Sequence, residues 1–366
     1  MSSQVVQDES PRFEPDYALA PGETLADWLD ENEMTQRELA VRLGVSPKHL
    51  NQLVKGSVPL TSEVAWRLER VTGISADMWL RIEADFRATT ERLQKRESLL
   101  SVGSWIKTMP VSALVSRGYL PAGRFSDGDR AEQLLSFFGV ASPDSWADLW
   151  HKRRAAFRQT KAFDIDEQAV AAWLRIGELT ANSQWCAPFN AKKLWAALPQ
   201  LRALTTEPMA VFFSEARKIC ASSGVALVVV EEIRGCRISG ATHWPSKSRA
   251  VLQLSLRDRK DDRVLFTFFH EVGHILLDGP QEFRIEDGSE EDESERRANE
   301  FAAEALIPAK YETRLLSLKS LTSIQAFAAE IAIPPGVVVG RLQRDKVIGW
   351  NVGNGLKRTV TLQDAQ

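Results

Sequence analysis

Cysteine is scarce in this 366-residue chain: Cys186, Cys220 and Cys236, with no CxxC pair among them. An odd count without paired spacing excludes a disulfide scaffold and a zinc site built from cysteine alone, and it fits a reducing cytoplasm. Charge of one sign is also missing. The 46 basic and 49 acidic residues leave a formal charge of −3, which excludes a generally basic nucleic-acid coat and leaves room for a local basic patch. The longest clean apolar run, Val225 to Val230, falls far short of the roughly 20 residues that a bilayer-spanning helix needs. The opening, Met1-Ser2-Ser3-Gln4 onward, is polar and acidic and lacks the apolar core of a secretory signal. No glycine-rich phosphate-binding loop is present. These absences exclude secreted and membrane-embedded readings, and the cytoplasm is the expected compartment.

What is there is an ordinary globular composition, 44% hydrophobic and 26% charged, over a length that suggests two or three domains. Residues 1–20, with Pro11 and Pro15, read as a flexible arm. Residues 21–90 carry helical periodicity, broken at Gly44, Gly56-Ser57 and Gly73. Residues 91–205 read as a helical middle region with loops at Pro121–Asp129 and Trp185–Asn190. Its tryptophans, Trp105, Trp146, Trp150, Trp173, Trp185 and Trp195, are expected to pack as an aromatic core. From 206 to 366 the pattern is mixed. Met209–Ala221 predicts a helix, Val225–Val230 a buried strand, and Arg237–Ala241 and Ala250–Leu256 two further strands. Val264–Leu277 and Glu293–Leu306 predict helices, the second stopped by Pro308. The fold class is therefore multidomain: an all-α front, a helical middle and an α+β rear.

The front carries a helix-turn-helix pattern. Thr35-Gln36-Arg37-Glu38 reads as a capping box, in which the glutamate reaches back to the Thr35 amide. Gly44 supplies the turn, Ser46 caps the next helix and Pro47 suits its first position. The spacing of Gln36, Ala40, Gly44, Leu50 and Leu53 fits two helices at close approach, the second placed for a major groove. Leu50, Leu53 and Val54 should face inward, leaving Lys48, His49, Asn51, Gln52 and Lys55 outside. With Gln36, Arg37 and Ser46 these are the candidate DNA contacts. Asn and Gln pair with adenine edges, and Lys reaches guanine or phosphate. Residues 21–90 hold eight basic and eleven acidic residues, but residues 34–60 hold Arg37, Arg42, Lys48 and Lys55 against Glu38 alone. The positive charge sits where a groove would be.

Three stretches extend this pattern: Pro21-Gly22-Glu23, Leu39 to Ser46, and Ala76-Asp77-Met78-Trp79-Leu80. Together they resemble the HigA-type antitoxins, Xre-group helix-turn-helix proteins. The resemblance implies a homodimer on operator DNA, autorepression and a toxin partner.

In the rear, His270-Glu271-Val272-Gly273-His274 is an HExxH motif on a predicted helix. Spacing of four puts both imidazoles on one face for a single metal, with Glu271 beside them as general base. Phe266, Phe268, Phe269, Ile275, Leu276 and Leu277 make that helix apolar, and burying ionisable groups there is costly without a partner such as a metal. A third-histidine motif would need glycine at 277 and histidine at 280, where the chain has Leu277 and Pro280. The alternative is a glutamate from a later helix. Glu295, 21 residues past His274, is the preferred ligand, with Asn299 one turn on to orient a histidine. Glu290, Glu291, Glu293 and Glu300 compete, the first three within an acidic run that reads as solvated.

The words Phe266 to Leu277, Glu295-x-x-Ala298-Asn299-Glu300-Phe301-Ala302-Ala303, Leu306-Ile307-Pro308 and Pro335 to Gln343 resemble the ImmA/IrrE zinc metallopeptidases. The resemblance implies a zincin-like fold and zinc on His270, His274 and Glu295, with Glu271 as base. It also implies cleavage of a regulatory protein such as a repressor or toxin in a stress or mobile-element response. The expected protein is a DNA-binding regulator fused to a zinc endopeptidase, with no membrane partner. The alternative is a HigA-like repressor whose rear domain senses or binds without catalysis. Two other features have plainer readings. His243-Trp244 reads as a surface turn. His151-Lys152-Arg153-Arg154, with Arg158 and Lys161, reads as a solvated basic face. Arg341, in the ImmA/IrrE-like tail, is a candidate for binding a substrate carbonyl or oxyanion, with a place that the sequence does not give.

Overall fold

A computed structural model describes residues 16–99, 102–157, 165–280, 283–286 and 293–365. Most of the expected arm, residues 1–15, lies outside them, as do Arg158, Lys161, Glu290 and Glu291. His151 to Arg154 fall on a helix, but their side chains are also outside the description.

The described chain divides into two compact units. One takes residues up to 103 together with 125–132, and the other takes 104–124 and the chain from 133 onward. The first unit is built on helices α1 (Pro21–Glu31), α2 (Gln36–Leu43), α3 (Pro47–Val54), α4 (Ser62–Thr72) and α5 (Ala76–Leu99). Local chemistry explains their ends. The Thr35 hydroxyl accepts the Glu38 amide at 3.2 Å, and the Ser46 hydroxyl accepts the His49 amide at 3.1 Å. Gly44 takes φ 64°, the left-handed conformation that stops α2. Arg67 of α4 donates to the exposed carbonyls of Leu43 and Gly44 at 3.0 and 3.2 Å, completing that cap. The expected capping box forms only in half. Glu38 does not return to Thr35 but pairs with Arg42 at 2.7 Å, since a cation four residues on competes for the carboxylate. Inside, Leu25, Leu39, Ala40, Leu50, Leu53, Leu68 and Trp79 are buried as one core.

The chain continues through α6 (Gly103–Thr108), α7 (Val111–Ser116), α8 (Asp127–Phe138), whose residues 127–132 count with the first unit, and then, in the other unit, α9 (Pro143–Phe157), α10 (Glu167–Asn182), α11 (Ala191–Ala203) and α12 (Met209–Ser222). Strands β1 (Val225–Val229), β2 (Gly240–Ser246) and β3 (Arg249–Leu254) follow, then α13 (Asp261–Leu277) and β4 (Phe283–Glu286). It closes with α14 (Glu293–Leu306), α15 (Glu312–Leu315), α16 (Leu321–Glu330) and α17 (Pro335–Arg344). The sheet runs β1-β3-β2-β4, with β1 and β3 parallel and the other pairs antiparallel.

Both sheet faces are covered, which is why β1 is apolar at every position. Val225, Leu227, Leu252 and Leu254 join α13 in one core, while Ala226, Val228 and Val251 turn to the other face with Ala181 of α10. Trp173 of α10 reaches further, its indole N–H donating to the Val230 carbonyl at 3.0 Å. Gln253 of β3 returns a bond to the Trp173 carbonyl at 2.8 Å. The helices from α7 to α10 thus share a core with Ile233, Ile238 and Ala241. The unit boundaries therefore do not coincide with the divisions at 90/91 and 205/206 read from the sequence.

Three expectations are corrected. The strand expected over Arg237–Ala241 lies at Gly240–Ser246, because Arg237 sits at φ 51° and cannot extend the strand. His243 and Trp244 are therefore in β2 and not in a surface turn, and His243 is buried. The segment Gly-Ala-Thr-His-Trp-Pro-Ser reads poorly as a strand, and the pairing with β3 indeed shifts between His243 and Ser246, where Pro245 is accommodated. Lastly, Trp146 and Trp173 are core residues, but Trp185 and Trp195 are exposed, at 76% and 46%.

Removing the indole donor should expose how firmly α10 is tied to the sheet. Trp173→Phe leaves the Val230 carbonyl without its donor and should cost about 1–3 kcal/mol. Urea unfolding would measure it, and an unchanged midpoint would show that this bond carries no stability.

Candidate functional site

Helix α13 is buried nearly all round, packed against β2, β3, α14 and α17. Its apolar residues Leu265, Phe268, Phe269 and Val272 hold it in the core. On the side facing α14 stand His270 and His274, with Glu295 of α14 opposite. The two Nε2 atoms are 3.0 Å apart, and each lies 3.2 Å from a different Glu295 carboxylate oxygen.

That triangle fits a zinc ion. Donors about 2.0–2.1 Å from a tetrahedral metal stand roughly 3.3 Å from one another. The chemistry of the donors fits too: two imidazole nitrogens and a carboxylate, all within 4.8 Å of one another and withdrawn from water. Each ring is held by its other nitrogen. His270 Nδ1 lies 3.1 Å from Asn299 Oδ1, and His274 Nδ1 lies 2.8 Å from Asp278 Oδ2. Those contacts turn both Nε2 atoms toward Glu295.

Asp278 is itself fixed, accepting from Ser294 Oγ at 2.5 Å and from Arg297 at 2.7 Å. No ligand motif in the sequence points to it: the third-histidine spacing falls on positions 277 and 280, whereas Asp278 sits one turn after His274 and meets the ring at Nδ1. Glu271, fully buried, accepts the Thr242 hydroxyl at 2.5 Å. A Cβ at Gly240 would stand 2.6 Å from Glu271 Oε1, so β2 closes over this carboxylate. The strand expected over Arg237–Ala241 stops short of Thr242, so the sequence does not bring that hydroxyl to Glu271. Of the competing carboxylates, Glu300 pairs with Arg296 at 2.6 Å and Glu293 is exposed at the start of α14.

Burial works to raise the Glu295 pKa, but hydrogen bonds from His270 and His274 outweigh it and hold the carboxyl down at about 2. Burial likewise works to lower the His274 pKa, but the bond to Glu295 and the Glu271 charge outweigh it, leaving the imidazole above its ordinary value. A cavity of about 260 Å³ opens beside the cluster, reached by His270, Glu295 and Asn299 and walled by α17. Arg341 lines it.

In the front unit, Gln36, Arg37, Ser46, Lys48, Asn51 and Lys55 are exposed, and His49 and Gln52 are half-buried. The Ser46 hydroxyl is engaged in its cap. Among the described residues Arg37, Lys48 and Lys55 form no ion pair, so they carry the local positive charge once Glu38 has neutralised Arg42.

Residues 25–79 match the family described as helix-turn-helix. An uncharacterized HTH-type transcriptional regulator, YddM of Escherichia coli (strain K12), is 35% identical over 63 residues, which are 17% of this chain and 67% of that protein. The chain belongs to the helix-turn-helix transcriptional regulators. Residues 233–342, which include β2, β3, α13, α14 and most of α17, match the family described as IrrE N-terminal-like domain. A HigA-family addiction module antidote protein from Coxiella burnetii is similar at 22% identity over 22% of this chain and 90% of that one, with a TM-score of 0.21. Among the described residues no single helix is long and apolar enough to cross a membrane.

Zinc affinity checks the cluster. His270→Ala should abolish binding of one zinc per chain, and Asp278→Ala and Asn299→Ala should each weaken it about 10–100-fold, read by competition with a chelator. Affinity should also fall as pH falls. His274 keeps its proton to a higher pH than an ordinary imidazole, and a metal must displace that proton, whereas Glu295 stays ionised down to about 2.

Proposed function

We propose that this regulator is also a zinc-dependent endopeptidase, one that cleaves a regulatory protein such as a repressor or a toxin–antitoxin partner. The observation that carries this reading is the buried His270–His274–Glu295 triangle with Glu271 beside it and a cavity opening onto the donors. Structural zinc is normally held by four protein ligands, whereas three leave a position open for reaction. The chemistry zinc supplies when bound in this way is Lewis acidity toward water and toward a peptide carbonyl.

The chain's own residues supply the rest. Asn299 and Asp278 hold the two imidazoles in register, so no reorientation is needed during turnover. Thr242 donates to one Glu271 oxygen and fixes the carboxylate. Glu271 takes a proton from the attacking water and delivers it to the leaving amine nitrogen. The packed surroundings of α13 keep bulk water from screening these groups.

In the front unit, α3 is the element we assign to the major groove of operator DNA, with Asn51 and Gln52 reading base edges and Arg37, Lys48 and Lys55 on phosphates. A homodimer on a palindromic operator follows from the way such modules reach two half-sites.

Two variants separate the activities. Glu271→Gln should lose cleavage entirely while one zinc per chain remains, and cleavage retained in that variant would remove Glu271 from the mechanism. Asn51→Ala with Gln52→Ala should weaken operator binding by about 1–3 kcal/mol per lost base contact and leave peptidase activity alone. Unchanged gel shifts would take α3 out of the groove.

A further inference from the structure

The cavity beside the donor triangle has a feature that general peptide hydrolysis does not require. At about 260 Å³ it is smaller than the roughly 300–1,000 Å³ of sites that enclose a whole ligand, and suits one side chain. Three guanidinium groups line it: Arg263 of α13, and Arg341 and Arg344 of α17. Arg263 lies over the Trp350 ring at 5.8 Å and Arg344 over Phe266 at 5.0 Å.

Arg341 differs from both. Its side chain is only 24% exposed, and its Nε donates to Asp345 Oδ2 at 2.6 Å. That anchor leaves both terminal nitrogens with no bond to a described residue. A guanidinium held through Nε presents its end-on pair, the geometry that grips a carboxylate bidentately.

The acidic groups in the cavity wall are nearly all committed. Asp262 pairs with Lys357 at 2.7 Å, and Glu295 faces the two histidines. Asp258 is exposed at the rim, and the carboxylate that pairs with Arg341, Asp345, sits on its Nε side, which leaves the terminal nitrogens to an incoming anion.

We propose that this cavity is a subsite for an acidic side chain next to the scissile bond, with Arg341 as the residue that selects it. The inference rests on the peptidase reading above. Arg341 also walls a second cavity, of about 280 Å³, lined by Glu300, Glu304 and Glu312. Those carboxylates repel a second acidic residue, which confines the preference to the inner position.

The test uses the zinc-loaded full chain and a mixed peptide library, with cleavage positions read by mass spectrometry. Aspartate and glutamate should be favoured at least tenfold over lysine and arginine at one position flanking the cut. Arg341→Gln, with zinc stoichiometry unchanged, should erase that preference, and Arg341→Glu should turn it toward lysine. Arg341→Lys keeps the charge but not the fork and should retain only part of it. Cleavage without an acidic preference, or a preference unchanged in Arg341→Gln, overturns the subsite and leaves the peptidase standing. If no peptide is cut, the peptidase reading fails instead. The subsite is then decided by fluorescence anisotropy, comparing a labelled glutamate-containing pentapeptide with its glutamine counterpart. Tenfold tighter binding that is lost in Arg341→Gln supports it, and equal binding overturns it.

Discussion

Helix α13 carries two imidazoles and a carboxylate into an apolar interior, where each must find a partner in place of water. The surrounding elements are arranged by that requirement. α14 supplies Glu295 and Asn299, the end of α13 supplies Asp278, and β2 supplies Thr242. Asp278 draws in Ser294 and Arg297, so the first turn of α14 is bound to the same network that orients His274. A cluster held at so many points has little freedom to rearrange, the condition a metal site needs for defined geometry.

The sheet behind α13 cannot stand with one face bare. β1 is apolar on both faces, β3 buries Val251 and Gln253 on the face away from the His270–His274–Glu295 cluster, and α10 closes that face through Trp173 and Ala181. From residue 133 onward the helical middle is therefore a structural part of the rear unit, and its tryptophans divide between core and surface. The front unit has a separate core of its own and ends its helices with side-chain caps and a left-handed glycine.

How much was legible in the sequence depended on the range of the interactions. The HExxH spacing, the Glu295–Asn299 pair and the turn at Gly44 are local patterns in which helical geometry alone decides which residues share a face. Glu38 shows the limit even there, since two local partners competed and the salt bridge to Arg42 won over the returning cap. β2 was displaced in the reading because Gly240, Thr242, His243 and Pro245 do not form a strand by propensity. Pairing with β3 and β4 makes them one. β4 alternates apolar and polar over Phe283 to Glu286 but is too short to read as a strand before it pairs with β2.

By itself the sequence determined the helix-turn-helix and helices α13 and α14 with the residues they turn inward, and it put two histidines and a nearby glutamate forward as ligands for one metal. Those outcomes follow from periodicity and short-range caps, whose partners lie within a few residues. Only the tertiary structure decided that Thr242 backs Glu271, that Asp278 holds His274, that the middle helices belong to the sheet, and that Arg341 lines the cavity beside the donors. Each of these joins residues separated by a strand pairing, a helix end or a packing interface. Their proximity is set by burying both faces of the sheet and satisfying the polar groups of α13 at once.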